Sequence, residues 1–220
     1  EVGEGRAQFG VSNSALLLAR AQGRPVVALA VIFQHSPFIL VARRDGGIRT
    51  VHDLVGKRLM IEPHAEEIFA YLRKEGVSEK LLKIQPHSFD HQDLIDGKTD
   101  VLTAYSTDEP YFFEQKRFPY QEFSPRAAGI DFYGDNLFTS AGLIARQPER
   151  VKAFRDASLR GWTYAMQHPE ELADLILARH GKRKSREHLL YEEREMHSLL
   201  RPALIELGHM NPGRWRHIAD

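Results

Sequence analysis

The residues of this chain best suited to chemistry sit at the ends of apolar runs. Phe132-Tyr133-Gly134-Asp135-Asn136-Leu137-Phe138-Thr139-Ser140 combines aromatic faces with an acid and an amide. That mixture suits the wall of a small-molecule pocket, although Gly134-Asp135-Asn136 is also ordinary turn chemistry. Ser12-Asn13-Ser14 and Tyr105-Ser106-Thr107 each follow an apolar run and precede a helix-forming run. Such residues cap a helix or hold a ligand equally well. Tyr105 adds a ring face that a flat solute could stack on, or that a core could absorb. Glu62 and His64 follow Leu59-Met60-Ile61. Glu62 could accept hydrogen bonds from a ligand amine, and an acid at a helix start is also favoured by the dipole. His87, Asp90 and His91 are close enough in sequence to suggest a metal, but zinc wants three or four converging ligands and Asp90 serves equally as a cap. We assign no metal site. The chain holds no G-x-S-x-G, H-E-x-x-H or P-loop pattern. Without cysteine, thiol nucleophiles, disulfides and thiolate metal sites are excluded. No catalytic residues are assigned, and the chain is expected to be a binder that is not itself an enzyme.

Composition agrees with a folded, neutral molecule. The 220 residues are 42% hydrophobic and 27% charged, enough to bury a core. Thirty basic residues balance thirty acidic ones, so nothing in the charge argues for nucleic acid or an anionic membrane surface. No apolar run approaches the roughly 20 residues that span a bilayer. The chain opens close to a strand, on Glu1-Val2-Gly3-Glu4-Gly5-Arg6, and reads as a piece trimmed at both ends.

The elements that would position these residues alternate between strand and helix through residue 124. Ala7–Val11 reads as a buried strand and Ala15–Ala21 as a helix. Pro25–Phe33 reads as a second buried strand, interrupted by Gln34-His35-Ser36-Pro37. Phe38–Ala42 resumes in extended form. Thr50–Leu54 is a short capped helix, Lys57–Ile61 a strand, and Ala65–Glu75 a helix closed by Gly76. Leu81–Ile84 and Asp100–Tyr105 are strands. Glu109–Gln115 is a helix with Pro110 in its first turn, and Pro119–Ser124 a strand. This alternation implies an α/β fold with mostly parallel sheets. After Ile144 the pattern becomes helical: Pro148–His168, then a helix from Pro169 to His180, then one capped by Ser185 and running to Leu200, with a further start near Arg214. Trp162 and Trp215 read as helix-packing residues.

In open α/β sheets, ligands sit beyond the carboxyl ends of strands. The turns at Ser12-Asn13-Ser14 and Tyr105-Ser106-Thr107 both fall there. They share a weak local plan of glycine, basic residue, strand and hydroxyl-rich turn.

Gly5–Ser14 with Pro25–Pro37, and Asp53-Leu54-Val55-Gly56-Lys57-Arg58, resemble the type 2 periplasmic solute-binding proteins, in the branch that binds thiamine-pyrimidine precursors and alkanesulfonates. Tyr133–Phe138 and Gly208–Trp215 resemble a subgroup that serves as the extracytoplasmic sensor of bacterial diguanylate cyclases and histidine kinases. The resemblance implies a two-lobed fold. Residues 1–36 would be the first part of lobe I, lacking its first strand and helix. Residues 37–138 would be lobe II, and 139–220 the helical remainder of lobe I. The crossings would fall at Gln34–Pro37 and Phe138–Ser140.

It further implies a small, polar, planar solute in an interlobe cleft. Ser12, Asn13, Gln34, His35, Ser36, Glu62, His64, Tyr105, Ser106, Tyr133, Asp135 and Asn136 are its expected contacts. The expected setting is periplasmic, with the membrane reached only through segments outside this chain, and homodimer formation stays open. An importer's binding component is the alternative. A pyridoxal-phosphate-dependent thiamine-pyrimidine synthase is a further one, weakened because this chain lacks the cysteine-rich stretch of the eukaryotic synthases and because Lys57 and Lys98 lie at strand starts. No cofactor is assigned.

Overall fold

The computed structural model describes residues 1–181 and 183–220. They form two compact units: Glu1–Ser36 with Phe132–Asp220, and Pro37–Asp131. We refer to these as units 1 and 2.

Unit 1 is built on a three-stranded sheet. β1 (Phe9–Ser12) and β2 (Val26–Val31) flank β8 (Asn136–Ser140), and both pair with it antiparallel. The helix α1 (Leu16–Ala21) joins β1 to β2, so those two run the same way with β8 inserted between them. β1 is less buried than its apolar sequence suggests. It is an edge strand, and Val11 remains 63% exposed. Gly10 is required there, since a Cβ would come within 2.6 Å of the Phe138 ring.

The stretch Phe132–Ser140, expected to include a crossing, lies wholly in unit 1. The physical reason is its hydrogen bonding. β8 pairs on both sides, and Ile32, Gly134 and Ser36 extend the ladder by donating to Asp135, Phe33 and Phe132 carbonyls, respectively. The chain returns to unit 1 at Phe132, some residues before the expected boundary.

The helical run follows β8: α5 (Ala141–Arg146), α6 (Pro148–Gln167), α7 (Pro169–His180), α8 (Arg186–Leu200) and α9 (Pro212–Ala219). Proline begins α6, α7 and α9, where its missing N–H costs nothing. Ser185 caps α8 by accepting from the His188 N–H. Asn211 caps α9, accepting from Gly213 and Arg214. Leu159, Trp162 and Met166 of α6 and Leu199 and Leu200 of α8 pack on Ile32 and Phe33. Ile218 of α9 packs with Val31 and Tyr133, and Trp215 lies against that cluster.

Unit 2 holds a five-stranded sheet of order β5-β4-β6-β3-β7. Its strands are β3 (Phe38–Arg43), β4 (Arg58–Ile61), β5 (Lys83–Pro86), β6 (Val101–Tyr105) and β7 (Tyr120–Phe123). Its helices are α2 (Glu66–Lys74), α3 (Gln92–Ile95) and α4 (Glu109–Gln115). The apolar runs of β3 and β6 are covered on both faces. Phe38, Leu40 and Ala42 face one cluster, while Ile39 and Val41 face the other, as a period of two requires. β5 begins two residues later than its sequence suggests, because Glu79–Leu81 forms a 3-10 turn. The short helix at Val51–Leu54 is likewise 3-10, held by a capping box between Thr50 and Asp53.

The expectation of mostly parallel sheets needs correction. Among the described residues, only β4–β5 and β4–β6 are parallel, and the other four ladders are antiparallel. Strand–helix–strand alternation does set strand direction along the chain. However, β3, β7 and β8 run against the strands they pair with, and sequence alternation does not show which strands become neighbours.

Candidate functional site

β4, β5 and β6 run parallel, so their carboxyl ends share one edge of unit 2. The buried residue Thr103 of β6 ties that edge together. Its hydroxyl accepts the Glu62 N–H at 3.0 Å and also bonds the Glu62 carboxyl. Its carbonyl takes His87 Nε2 at 3.0 Å. Two residues on, the Tyr105 N–H donates to Glu109 Oε2 at 2.6 Å. His91 Nδ1 lies 3.8 Å from Glu109 Oε1. The loops after all three strands are thus fixed to one strand end.

The electrostatics of this edge are acidic. Burial raises the Glu109 carboxyl to about 7, and the neighbouring Asp108 and Glu62 charges add to the effect. The Tyr105 N–H opposes it but does not win. Burial also raises Glu62, against its bond to Thr103. Burial lowers His87, against its bond to the Thr103 carbonyl, which favours the neutral ring. That ring's Nδ1 accepts the Phe89 N–H at 2.9 Å. Phe89 sits at φ 59°, in the left-handed region, and is 64% exposed. A bulky side chain at positive φ is costly and is held there by its surroundings.

Of the expected contacts in unit 2, Glu62 and Tyr105 belong to this edge, and Ser106 follows it, donating its N–H to the Pro37 carbonyl. Tyr105 also packs edge-on against Phe38, so its ring is partly committed to the core. His64 is exposed, at φ 64°, beside Glu66. His87, Asp90 and His91 share the edge but do not converge as a ligand set. Thr103, Glu109 and Phe89 are additional. In sequence Thr103 is one hydroxyl in a strand and Glu109 follows a cap-like Ser-Thr-Asp. Phe89's positive φ leaves no sequence mark.

In unit 1 the remaining expected contacts gather at the carboxyl ends of β1 and β2 and the start of β8. Asn13 accepts the Ala15 N–H on its side-chain oxygen at 2.9 Å, an Asx turn ahead of α1, whose N-cap is Ala15. Ser12 offers its carbonyl to Asn136 Nδ2 at 3.1 Å. Gln34 is buried, and its Nε2 donates to the His209 carbonyl at 3.0 Å. His35 is buried, and the Ser36 N–H bonds the Phe132 carbonyl. Burial raises the Asp135 carboxyl. Asn136 is fully buried. Its Nδ2 donates to two carbonyls, Ser12 and Gly134, which fixes the amide's orientation and leaves Oδ1 without a partner. A buried acceptor left so costs about 1–3 kcal/mol.

Tyr133 departs from the pocket-wall expectation. Its side chain is core: 1% exposed, packed with Val31 and Ile218. Its hydroxyl accepts the Asn211 N–H at 3.1 Å, and the Arg214 guanidinium lies 4.4 Å from its ring centre. The C-terminal segment Asn211–Ile218, distant in sequence, supplies these contacts.

Unit 1 also carries a separate apolar concavity of about 480 Å³ among α6, α7 and α8, lined by Trp162, Met166, Leu172, Ile176, Leu189 and Met196.

Two α/β units, the first made of discontinuous segments, define the class of type 2 solute-binding folds. The chain belongs to the NMT1/THI5-like family, whose profile matches residues 1–172. It is 31% identical over 173 residues to a riboflavin-binding protein, RibY, of Chloroflexus aurantiacus, covering 76% of this chain and 48% of that one. It is 26% identical over 183 residues to a 4-amino-5-hydroxymethyl-2-methylpyrimidine phosphate synthase of Legionella pneumophila, covering 80% and 58%. The chain therefore spans about half the length of these curated relatives. The periplasmic aliphatic sulphonate binding protein SsuA of Escherichia coli shares the fold, with TM-score 0.56 and 14% identity over 92% of this chain and 65% of that one.

Proposed function

We propose that the chain binds a small, planar, polar solute as the sensory module of a membrane signalling protein, in an extracytoplasmic setting. The observation that carries the reading is the acid-lined carboxyl edge of β4–β6. Glu62 and Glu109 are drawn together there by β6, in a family whose relatives include a named riboflavin binder. Burying carboxyls costs stability, which ligand-binding sites bear more readily than inert surfaces do. The ligand class is taken from the relatives' names, a pyrimidine or a flavin. Transport would use the same solute binding with a permease as partner. A lipoprotein leader or an output domain outside this chain distinguishes the two roles.

The test is a thermal-shift screen with riboflavin, 4-amino-5-hydroxymethyl-2-methylpyrimidine, thiamine, purines, amino acids and ethanesulfonate. A solute at a hundred times its Kd stabilises by about 2.7 kcal/mol. A saturable shift supports the reading, and silence across the panel contradicts it.

The synthase-named relative favours an enzymatic reading as the rival. Pyridoxal phosphate would need a lysine at the carboxyl edge. Lys57 and Lys98 precede β4 and β6, at the opposite ends of those strands, and Lys98 is paired with Asp93 at 2.5 Å. The residues of this edge do not fit that group. An aldimine absorbance band on adding pyridoxal phosphate would revive the rival.

A further inference from the structure

We infer that α7 is a self-association face. Two copies of the chain pair through it, antiparallel about a two-fold axis at Leu175, with Glu171 of each copy opposite Arg179 of the other. The inference concerns unit 1 alone and is independent of the solute the chain binds.

Composition singles out this helix. Leu172, Ala173, Leu175, Ile176, Leu177 and Ala178 make its centre apolar, interrupted by Asp174, yet only Ala173 is buried. Leu175 and Ile176 remain 39% and 37% exposed. A helix apolar on most of its faces is ordinarily covered. The apolar surface also extends beyond α7. Leu172 and Ile176 line the concavity whose other walls include Trp162, Met166, Leu189 and Met196. The acids on that wall are already committed: Glu192 pairs with Lys184, and Glu193 bonds His197 at 2.7 Å. Contiguous exposed apolar surface with a polar rim marks an interaction site. The family profile matches residues 1–172, so α7 lies almost wholly beyond it.

The charges of α7 identify what covers it. Glu171, Leu175 and Arg179 stand four residues apart and so share one stripe. Glu170 and Asp174 are turned to another side, where both bond Arg186 at the start of α8. The stripe is thus acidic, apolar and basic, with Leu175 at its midpoint. Turned end for end it matches itself. Glu171 falls opposite Arg179, Leu175 opposite Leu175, and Leu172 opposite Ala178, a large residue on a small one. Parallel pairing would set acid on acid and base on base. Such self-complementarity about a two-fold is what an isologous dimer requires. Glu171 is also held in place, since the Tyr164 hydroxyl donates to its Oε2 at 2.7 Å, and a carboxylate accepts more than one such bond. Arg179 is exposed.

The face is small. Its 12 residues extend about 18 Å, short for the roughly 1,200–2,000 Å² that stable interfaces bury. The dimer is therefore weak, concentration-dependent and sensitive to salt.

The experiment is sedimentation equilibrium of the full chain over a hundredfold range of concentration, at low and high salt. Wild type is compared with Leu175→Lys, Glu171→Arg, Arg179→Glu and the double exchange of Glu171→Arg with Arg179→Glu. Circular dichroism confirms that each variant is folded. We expect a reversible monomer–dimer equilibrium that salt weakens, and a Leu175→Lys variant that stays monomeric. Each single reversal should weaken the dimer tenfold or more, and the double exchange should restore it. Within one copy the two exchanged residues lie about 12 Å apart along the helix, so restoration reports a contact between copies. A strict wild-type monomer would overturn the inference. If that monomer takes up anilinonaphthalene sulfonate and Leu175→Lys does not, the face belongs to an apolar ligand instead. A dimer that Leu175→Lys leaves intact would also overturn it, by placing the contact elsewhere. A double exchange as weak as its single reversals would overturn the antiparallel register.

Discussion

The amide of Tyr105, the last residue of β6, donates to the carboxylate of Glu109, the first residue of α4, at 2.6 Å. That bond favours the ionised acid, yet burial dominates and raises Glu109 from 4.5 to about 7. The folded state therefore holds this proton more tightly than the unfolded chain. Glu109's contribution is most favourable below pH 4.5 and is lost as pH rises through 7, a cost of about 3 kcal/mol at most. Glu109→Gln keeps an acceptor for Tyr105 and removes the titration. Urea unfolding at intervals from pH 5 to 8 should show the variant gaining on the wild type as pH rises. A constant difference across that range would refute the assignment.

Thr103 is expected to matter beyond its size. Thr103→Val keeps the shape but strips the Glu62 N–H of its acceptor and the Glu62 carboxyl of its donor. A loss of about 1–3 kcal/mol follows from the orphaned groups. Thr103→Ser, which retains the hydroxyl, should recover much of it in the same unfolding assay.

Much of this architecture is legible in the sequence where local chemistry decides the outcome. The α6 and α8 stripes, the prolines opening α6 and α7, and the glycine after α2 all mark helices found within a residue or so of their expected ends, whereas α9 starts at Pro212, two residues before the start expected near Arg214. What depends on distant pairing is not legible. Val11 reads as core because it is apolar, but β1 has a neighbour on one side only. Tyr133 reads as a pocket aromatic because the segment that buries it begins 78 residues later. Ser12, Gln34 and Asn136 are expected contacts by residue type and topology, whereas Glu109 reads in sequence as any acid opening a helix.

Tyr133 should anchor α9. Tyr133→Phe keeps the packing and deletes only the acceptor for the Asn211 N–H. A loss of about 1 kcal/mol is expected. Because Trp215 lies 5.0 Å from the Tyr133 ring, its emission should report loosening of α9. Unchanged stability and emission would show that the hydroxyl contributes nothing.

Gly208 and Gly5 form a matched pair for testing backbone against packing. Both have positive φ, 87° and 78°. A Cβ at Gly208 would lie 2.8 Å from Leu159 Cδ2, whereas one at Gly5 meets nothing within 4 Å. Gly5→Ala should cost about 1–2 kcal/mol through conformation alone. Gly208→Ala should cost about 1–3 kcal/mol more by overpacking. Equal losses by calorimetry would mean that Leu159 yields freely.

The most direct test of the central claim is hydrogen–deuterium exchange of the chain with and without a saturating solute identified by the thermal-shift screen. The account predicts added protection at the carboxyl edge of unit 2, in the segments holding Glu62, Phe89 and Tyr105–Glu109. Protection confined to Trp162–Met166 and Leu189–Met196, around the α6–α8 concavity, would contradict it.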